Sequence, residues 1–494
     1  MSARRRTSPP RLAISAALAL LVSGCLVGPD YRGPPGMAEL DSEVFTRAAI
    51  ATATSDEPVE LWWQQLGDPQ LDALIARAFD NNRNLAEARA NLRASRAVLQ
   101  GSQQEFLPGG GLNAAYTRQR FSEEALIFGG QGDDFSIPDQ DIYSLGADTR
   151  WEIDLFGRIR RGVEASRARA EAAEAVRDDL LVSVAAEVAS AYVALRGAQK
   201  RLAVAERNAA NQEDSFKLTE VLLRGGRGTR LDVERARAQL ANTLATIPPL
   251  KAQFDVQAHR LGVLTGDGPT ALRETLSEPM PIPRMPILIG VGSPADLFRR
   301  RPDIRAAERE LAAATADIGI ETADYFPTVS LTGSGGFQSN TTGNLLQGSA
   351  LQFTVGPQLI WNLLDLTRIR ARVKAAGARA DAAAARYEQT VLLAFEETEN
   401  ALTLYGNEVL RRKQLGEASE AAREAARLAR LRYDNGVDDF LAVLDAERVA
   451  LENEDARVVS EIEATLQEIA IYRALGGGWQ SRARDEAAEA TGQD

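Results

Sequence analysis

The chain has 494 residues, 45% of them hydrophobic and 26% charged, which is a globular composition with room for two to four compact domains. A formal net charge of −12 and the lack of a basic, aromatic-lined patch exclude nucleic acid as an expected partner. One histidine, one cysteine, no glycine-rich phosphate loop and no paired metal-ligand spacing lead us to expect no enzyme activity, no cofactor and no metal site.

Residues 1–24 are predicted to be an export signal, because four arginines precede an apolar run too short to span a bilayer. The sequence Leu-Val-Ser-Gly-Cys that ends at Cys25 resembles a bacterial lipobox, which implies cleavage before Cys25 and lipidation of its thiol. Cleavage leaves 53 basic and 69 acidic residues, a net charge of −16. No later run of 18 apolar residues occurs, so no transmembrane helix is expected.

Four segments that alternate apolar with polar or small residues are predicted to be β-strands. The first two, about 112–121 and 142–156, flank the Gly/Asp-rich stretch 122–141. The other two, about 329–337 and 351–363, flank a stretch rich in Asn, Thr and Gly. These lengths suit tilted bilayer crossings of about 9–11 residues. Two soluble hairpins would give the same pattern, so both interpretations stay open here.

A long helix is predicted after each pair of strands. Ala, Leu and Val recur at helical spacing from Arg158 to Arg224 and from Leu366 to Tyr433, and neither span contains proline. At 1.5 Å per residue these are rods of about 100 Å. A glycine follows each rod, Gly226 or Gly436, and a second helical pattern then returns. Each pair of helices is therefore predicted to form an antiparallel hairpin with its glycine at the tip.

The chain also repeats itself. The segment that begins at Trp151 matches the segment that begins at Trp361, with Arg-Ile-Arg and several alanines in the same places. This match indicates an internal twofold repeat. In chain order, the predicted parts after the signal are an anchor segment 25–68, a first repeat 69–266, a linker 267–293, a second repeat 294–476 and a polar tail 477–494.

Four strands are too few to close a sheet that spans a bilayer, so the chain is predicted to oligomerise. Two chains would give eight strands, whose interior is filled by side chains, whereas three chains give twelve, the smallest assembly with room for a passage. Three chains would also join their helices into a twelve-helix tube. The predicted fold is therefore mainly α with a transmembrane β part: a trimeric 12-stranded barrel continued by a long α-helical barrel.

Several segments carry a family resemblance. They are Gly28-Pro29-Asp30-Tyr31 after Cys25, then WWQQLGDPQLDALIARAFDNNRNL, RRRPDIRAAERELAAATADIGIETADYFPTVSLTG, RYDNGVDDFLAVLDAER and YRALGGGW. In this order they resemble the outer membrane factor family of TolC-like exit ducts, in the lipoprotein branch that serves resistance-nodulation-division efflux pumps. The resemblance covers essentially the whole mature chain.

The resemblance implies a homotrimer in the cell outer membrane, in contact with its lipid and extending into the periplasm. An equatorial belt would be built from the terminal and inter-repeat segments. The implied function is passive: the duct receives drugs or other small toxic compounds from an inner-membrane resistance-nodulation-division transporter and a periplasmic adaptor protein. Type I protein secretion and heavy-metal efflux remain alternatives for the same fold. A lipid-anchored coiled-coil envelope protein is the non-channel alternative, but it leaves the four strands unexplained.

The resemblance also implies a periplasmic gate at the tip of the second hairpin. In relatives a leucine and an aspartate one turn apart constrict the pore, and these correspond to Leu441 and Asp445. A gate-locking hydrogen bond of relatives corresponds to Tyr433 and Asp232, and the two tip glycines are expected beside the adaptor contact. Threefold symmetry would bring three Asp445 carboxylates to one axis, which makes an anionic ring that favours cations.

Three further carboxylates lie close to Tyr433 in the sequence. At Asp434 some relatives have a basic residue that forms a second lock, so that lock is not expected here. Asp438 and Asp439 add acid nearby. Repulsion among the three would make closure of the gate depend on ions. The sequence does not identify the substrates, the adaptor or the pump.

Overall fold

The computed structural model describes residues 26–34, 45, 53–54, 56, 59–120, 138–284 and 289–480. The predicted signal, the lipidation site Cys25, most of the predicted loop 122–141 and most of the predicted tail therefore lie outside the described residues. Within them the strands are β1 (Ala53–Thr54), β2 (Gly109–Gln119), β3 (Gln140–Ile153), β4 (Ile289–Gly290), β5 (Thr328–Ser339) and β6 (Leu351–Ile360). The helices are α1 (Pro69–Asn81), α2 (Arg83–Gln104), α3 (Arg158–Arg224), α4 (Arg230–Leu264), α5 (Pro294–Arg300), α6 (Pro302–Ala323), α7 (Leu366–Asp434) and α8 (Phe440–Ala474).

The chain divides into two compact units. The strand unit comprises residues 1–34, 93–171 and 308–385, and the helical unit comprises residues 35–92, 172–307 and 386–494. The strand unit contains one antiparallel sheet in the order β2-β3-β5-β6. Each of its strands overlaps one of the four segments that the alternating pattern predicts. The helical unit contains a short parallel pair, in which Ala53 of β1 lies opposite Ile289 of β4.

The two longest helices have nearly the bounds that the sequence predicts. Helix α3 has 67 residues and α7 has 69, because neither contains a proline or a glycine in a conformation that would end it. Helix α4 continues through Pro248 and Pro249. Both prolines are exposed, so water can satisfy the carbonyl groups that lack their N–H partners.

By length and composition, α3 would pass for a membrane-spanning helix. However, 72% of its most apolar stretch is buried inside the fold. Apolar helices that are covered by other helices are core helices, because their hydrophobic surface is already removed from water. We therefore assign this stretch to the protein core rather than to lipid.

The core of the helical unit begins with the tryptophans of the segment WWQQLGDP. The Trp62 ring stacks on Tyr472 of α8 at 5.5 Å between ring centroids. Trp63 makes an edge contact with the Trp62 ring, at 5.7 Å between centroids. Asp68 then caps α1 by accepting the backbone N–H of Gln70 at 2.9 Å. The same carboxylate accepts the hydroxyl of Tyr192 on α3 at 2.7 Å. The cap of α1 is thus joined to α3.

A fully buried arginine on α3 holds the segment between the repeats. Arg196 is 0% exposed. It donates to the backbone oxygens of Leu276 and Glu278, at 3.3 and 2.8 Å, and to the side chains of Gln70 and Gln199. Buried polar groups require such partners. Gln199, one turn further along α3, donates to the same backbone oxygens, so two side chains of the long helix fix the path of the linker.

Matched positions of the two halves make the same contacts. In the strand unit each of two tryptophans donates its indole N–H to a backbone oxygen 36 or 45 residues earlier in the chain. In the helical unit a side chain at the start of a helix caps the last turn of a distant helix. The contacts are Trp151 to Phe106 at 2.9 Å, Trp361 to Tyr325 at 3.1 Å, Asn82 to Leu264 at 2.9 Å and Arg301 to Ala474 at 2.7 Å.

The segment that follows the lipobox is docked in the strand unit. Arg161 of α3, 1% exposed, donates to the backbone oxygens of Val27 and Gly28 and pairs with Asp30 at 2.7 Å. Gly28 has a φ of +87°, and a side chain there would collide with the backbone of Gly319 on α6. This close approach explains why the motif begins with glycine.

Candidate functional site

The four-stranded sheet has two chemically different faces. The pairing register places apolar side chains from all four strands on one face, and many of them are exposed. Leu112 is 88% exposed, Phe353 81% and Val355 74%. The face is formed by Leu112, Tyr116, Tyr143, Leu145, Trp151, Val329, Leu331, Phe337, Leu351, Phe353, Val355 and Leu359.

The opposite face of the sheet is mostly polar or small. It is formed by Asn113, Thr117, Ser144, Gly146, Asp148, Arg150, Ser330, Thr332, Ser334, Gly336, Gln338, Gln352, Thr354 and Gln358. Gly146 and Gly336 lie directly opposite each other on β3 and β5. A Cβ atom added to Gly336 would lie 2.5 Å from the Cα of Gly146, so the two backbones approach closely on this face.

The sheet also ends in two open edges. Among the described residues β2 pairs only with β3, and β6 pairs only with β5. Within the described part of the chain, the outer N–H and C=O groups of both edge strands therefore have no strand partner. Open edges beside a large apolar face are unfavourable in water and in hydrocarbon alike, because the edge N–H and C=O groups need hydrogen-bond partners.

Both helical hairpins have tips of the same construction. Gly226 and Gly436 have φ values of +69° and +72°, and a Cβ atom at either would meet no neighbour. The glycines are therefore needed for backbone conformation rather than for space. The residue after each glycine donates its N–H back into the last turn, Arg227 to Leu222 and Val437 to Arg432, both at 2.9 Å. These bonds end α3 and α7 and turn the chain sharply.

The predicted constriction residues lie in the first two turns of α8. Leu441 is 44% exposed and the Asp445 side chain is 64% exposed. A spacing of four residues puts both on one face of the helix. Asp445 accepts a hydrogen bond from Arg448 at 2.8 Å. The sequence analysis missed this arginine, although the three-residue spacing of opposite charges on a helix is a signal for such a pair.

The structure brings the predicted lock residues near each other. Burial raises the pKa of Tyr433; Arg430 opposes this shift, and the negative charge of Asp232 adds to it. The Tyr433 ring packs against Phe440 at 5.3 Å between centroids. The Asp232 carboxylate accepts the hydroxyl and N–H of Thr229, at 2.6 and 3.1 Å, and so caps α4. The hydrogen bond between Tyr433 and Asp232 stays a prediction.

The three acidic residues near the tip each have a local partner. Asp434 lies 3.7 Å from Arg430, and Asp438 forms a bidentate pair with Arg432. That hydrogen-bonded pair lowers the pKa of Asp438. Asp439 caps the first turn of α8. Because each carboxylate interacts with a nearby positive or N–H group, the repulsion expected from the sequence is offset within one chain.

Comparison with known proteins adds independent information. Residues 74–267 and again 294–477 match the family described as outer membrane efflux protein. The chain is 33% identical to outer membrane protein OprJ of Pseudomonas aeruginosa over 483 residues, which covers 95% of this chain and 96% of OprJ. It is 30% identical to the toluene efflux pump outer membrane protein TtgF of Pseudomonas putida, over 95% of this chain and 97% of TtgF.

A solved structure of the outer-membrane channel OprN agrees with these relatives. It is 43% identical in sequence and superposes with a TM-score of 0.84, covering 92% of this chain and 100% of OprN. The match thus includes the strand unit and the helical unit alike. On the double family match and the near full-length similarity, this chain belongs to the outer membrane efflux protein family.

Proposed function

We propose that this protein is the outer-membrane exit duct of a tripartite efflux pump. Three copies form a passive passage for drugs or other small toxic compounds, which arrive from an inner-membrane transporter through a periplasmic adaptor. Energy comes from the inner-membrane partner, and selection of cargo belongs to it as well. Family membership places the protein in the outer membrane and supports this assignment.

The observation that carries the proposal is the four-stranded sheet. One face is apolar and exposed, the other is mostly polar, and both edges are open. Three copies joined edge to edge form a closed 12-stranded barrel, which leaves no unpaired backbone in the bilayer. The apolar face then contacts lipid and the polar face lines a water-filled passage.

In the trimer the two hairpins of each chain contribute four helical segments, twelve in all, to a periplasmic tube. We assign the closed end to Leu441 and Asp445, which are exposed in one chain and meet their symmetry copies near the axis. The tip glycines Gly226 and Gly436 mark the surface offered to the adaptor. The recurrence of the same contacts in both halves supports the proposed duplication.

The double variant Asp445→Ala with Tyr433→Phe tests the gate. Its loss of three carboxylates and of the tyrosine hydroxyls is expected to raise the single-channel current in planar lipid bilayers about tenfold and to reduce cation selectivity. The exposed substitution Glu424→Ala on α7 serves as the control, and its current should equal that of wild type. Absence of any current, together with a monomer in detergent, would refute the duct.

We also propose that Cys25 carries the lipid anchor. The docking of residues 26–34 on α3 and α6 supports this, because it holds the start of the mature chain in the unit that contains the sheet. Metabolic labelling with radioactive palmitate is expected to mark the wild type and not Cys25→Ser. Equal labelling of both proteins would contradict the proposed lipid anchor but not the proposed function as an exit duct.

A further inference from the structure

A row of four glutamates runs along α8 at intervals of seven residues: Glu447, Glu454, Glu461 and Glu468. The last three expose 6%, 6% and 5% of their surface, and the side chain of Glu447 exposes 20%. By contrast, the intervening Glu452 is 59% exposed. Burying a carboxylate is costly unless it is paired, so the partners of this glutamate row indicate its role.

Glu454 joins three helices. Its Oε1 atom accepts the guanidinium of Arg207 on α3 at 2.6 Å and also that of Arg423 on α7. The two arginines come from different hairpins, because α7 belongs with α8 whereas α3 belongs with α4. One buried carboxylate therefore holds the second hairpin to the first.

Glu447 lies one heptad closer to the tip and has the same arrangement. It accepts the hydroxyl of Ser215 on α3 at 3.3 Å and lies 3.8 Å from Arg430 on α7. Arg430 in turn donates to the Ser215 hydroxyl at 2.9 Å. Ser215 is 1% exposed, whereas the side chains of Glu447 and Arg430 are 20% and 35% exposed, so water reaches this cluster from one side.

The upper two glutamates have partners of other kinds. Glu461 pairs with Lys200 on α3 at 2.6 Å and with Arg284 of the linker at 3.0 Å. Glu468 accepts the hydroxyl of Tyr405 on α7 at 2.9 Å. These contacts fix α8 at its far end, away from the tip.

The spacing of the partners is regular as well. Lys200 and Arg207 are seven residues apart on α3, and Arg423 and Arg430 are seven residues apart on α7. Positions seven apart in a straight helix drift by about 20° per step, so the three helices must curve around one another to keep these contacts. The glutamate row thus fixes the register of α8 against α3 and α7.

We propose that Glu447 and Glu454 are gate-positioning residues, which hold the start of α8, and with it Leu441 and Asp445, against α3 in the closed duct. The inference rests on the proposed function. Because Glu454 has a cation on each side, it can lose Arg207 and stay paired with Arg423. On opening, the contacts to α3 break, while those to α7 persist inside the second hairpin.

Two single substitutions each remove one arginine partner of Glu454. They distinguish the contact of Glu454 with α3 from its contact with α7. Arg207→Ala removes the bridge to α3 and is expected to raise the bilayer current about tenfold. Arg423→Ala leaves that bridge and is expected to give a several-fold smaller rise. Arg207 is 54% exposed, so its variant should fold. Arg207→Lys keeps a cation and should restore the closed state.

The matched control is Arg427→Ala. Arg427 lies one turn from Arg423 on α7 and pairs with Glu424 of the same helix at 2.7 Å. Among the described residues its loss breaks no contact to α3, so the current should stay as in wild type. Arg201, by contrast, pairs with Asp455 across α3 and α8, and its alanine variant is expected to raise the current to some extent. Equal currents from the Arg207 and Arg423 alanine variants, or a rise with the control as large as with Arg207→Ala, would overturn the inference alone. Absence of current from every protein, wild type included, would overturn the proposed function and this inference with it.

Discussion

Val355→Arg is expected to keep the protein out of the outer membrane. Val355 is 74% exposed at the middle of β6, on the apolar face that we propose to contact lipid. An arginine at the bilayer midplane costs about 2–4 kcal/mol, and a trimer carries three, so the total is about 6–12 kcal/mol. Membrane fractionation should show the amount of inserted trimer reduced by tenfold or more, since each 1.4 kcal/mol is about a factor of ten.

The neighbouring residue supplies the control for this experiment. Thr354→Arg puts the same charge one position away, on the polar face of the same strand. That side chain is expected to reach the water of the passage, so insertion should remain near the wild-type amount. Loss of both variants from the membrane, or normal insertion of both, would contradict the assignment of the two faces.

Arg196→Met is expected to destabilise the helical unit more than any exposed substitution. The methionine fills much of the same space but leaves the backbone oxygens of Leu276 and Glu278 without their charged donor. Gln199 still donates to both oxygens, at 2.8 and 3.4 Å, so the closest contact that is lost is the one to Glu278. A buried hydrogen bond that is lost costs about 1–3 kcal/mol, and we expect a loss in this range. The linker would be loosened first, because Arg196 and Gln199 attach it to α3 together and Gln199 alone of the two would remain.

Two measurements on the solubilised protein check this. The apparent Tm at a fixed heating rate should fall, and trypsin should cut faster at Arg273 and Arg284 of the linker. The control Arg260→Met changes a half-exposed arginine of α4 that pairs with Glu187, and it should leave both quantities nearly unchanged. A linker that resists trypsin equally in Arg196→Met would show that other contacts hold it.

Most helices and strands could be predicted from the sequence, because periodicity over a long span is a robust signal of secondary structure. The bounds of α3 were predicted to the residue, since a proline-free span of helical spacing has few other ways to fold. The four strands were placed within a few residues, because alternation and flanking turn residues agreed. Proline was a less reliable signal. Helix α4 continues through Pro248 and Pro249, although such residues break isolated helices, because tertiary packing holds the helix together.

The site was less predictable, because its side-chain partners are set by three-dimensional packing. Leu441 and Asp445 were found through family resemblance, and periodicity alone would not have selected them. The capping role of Asp232 could have been inferred from Thr229 three residues earlier, which is the pattern of a capping box. The seven-residue spacing of the glutamate row is visible in the sequence, but only the fold shows that these carboxylates are buried and bridged.

The paired glycines of the sheet decide which way it bends. Gly146 and Gly336 face each other across β3 and β5, and the space that two side chains would occupy is filled by backbone. Strands that approach on one face without side chains curve toward that face, as glycine kinks do in closed barrels. We therefore expect the mostly polar face to be the concave one, and a larger side chain at Gly336 would collide with the backbone of Leu145 and Gly146 on β3. In the proposed barrel, the face that carries these two glycines would then be the inner one.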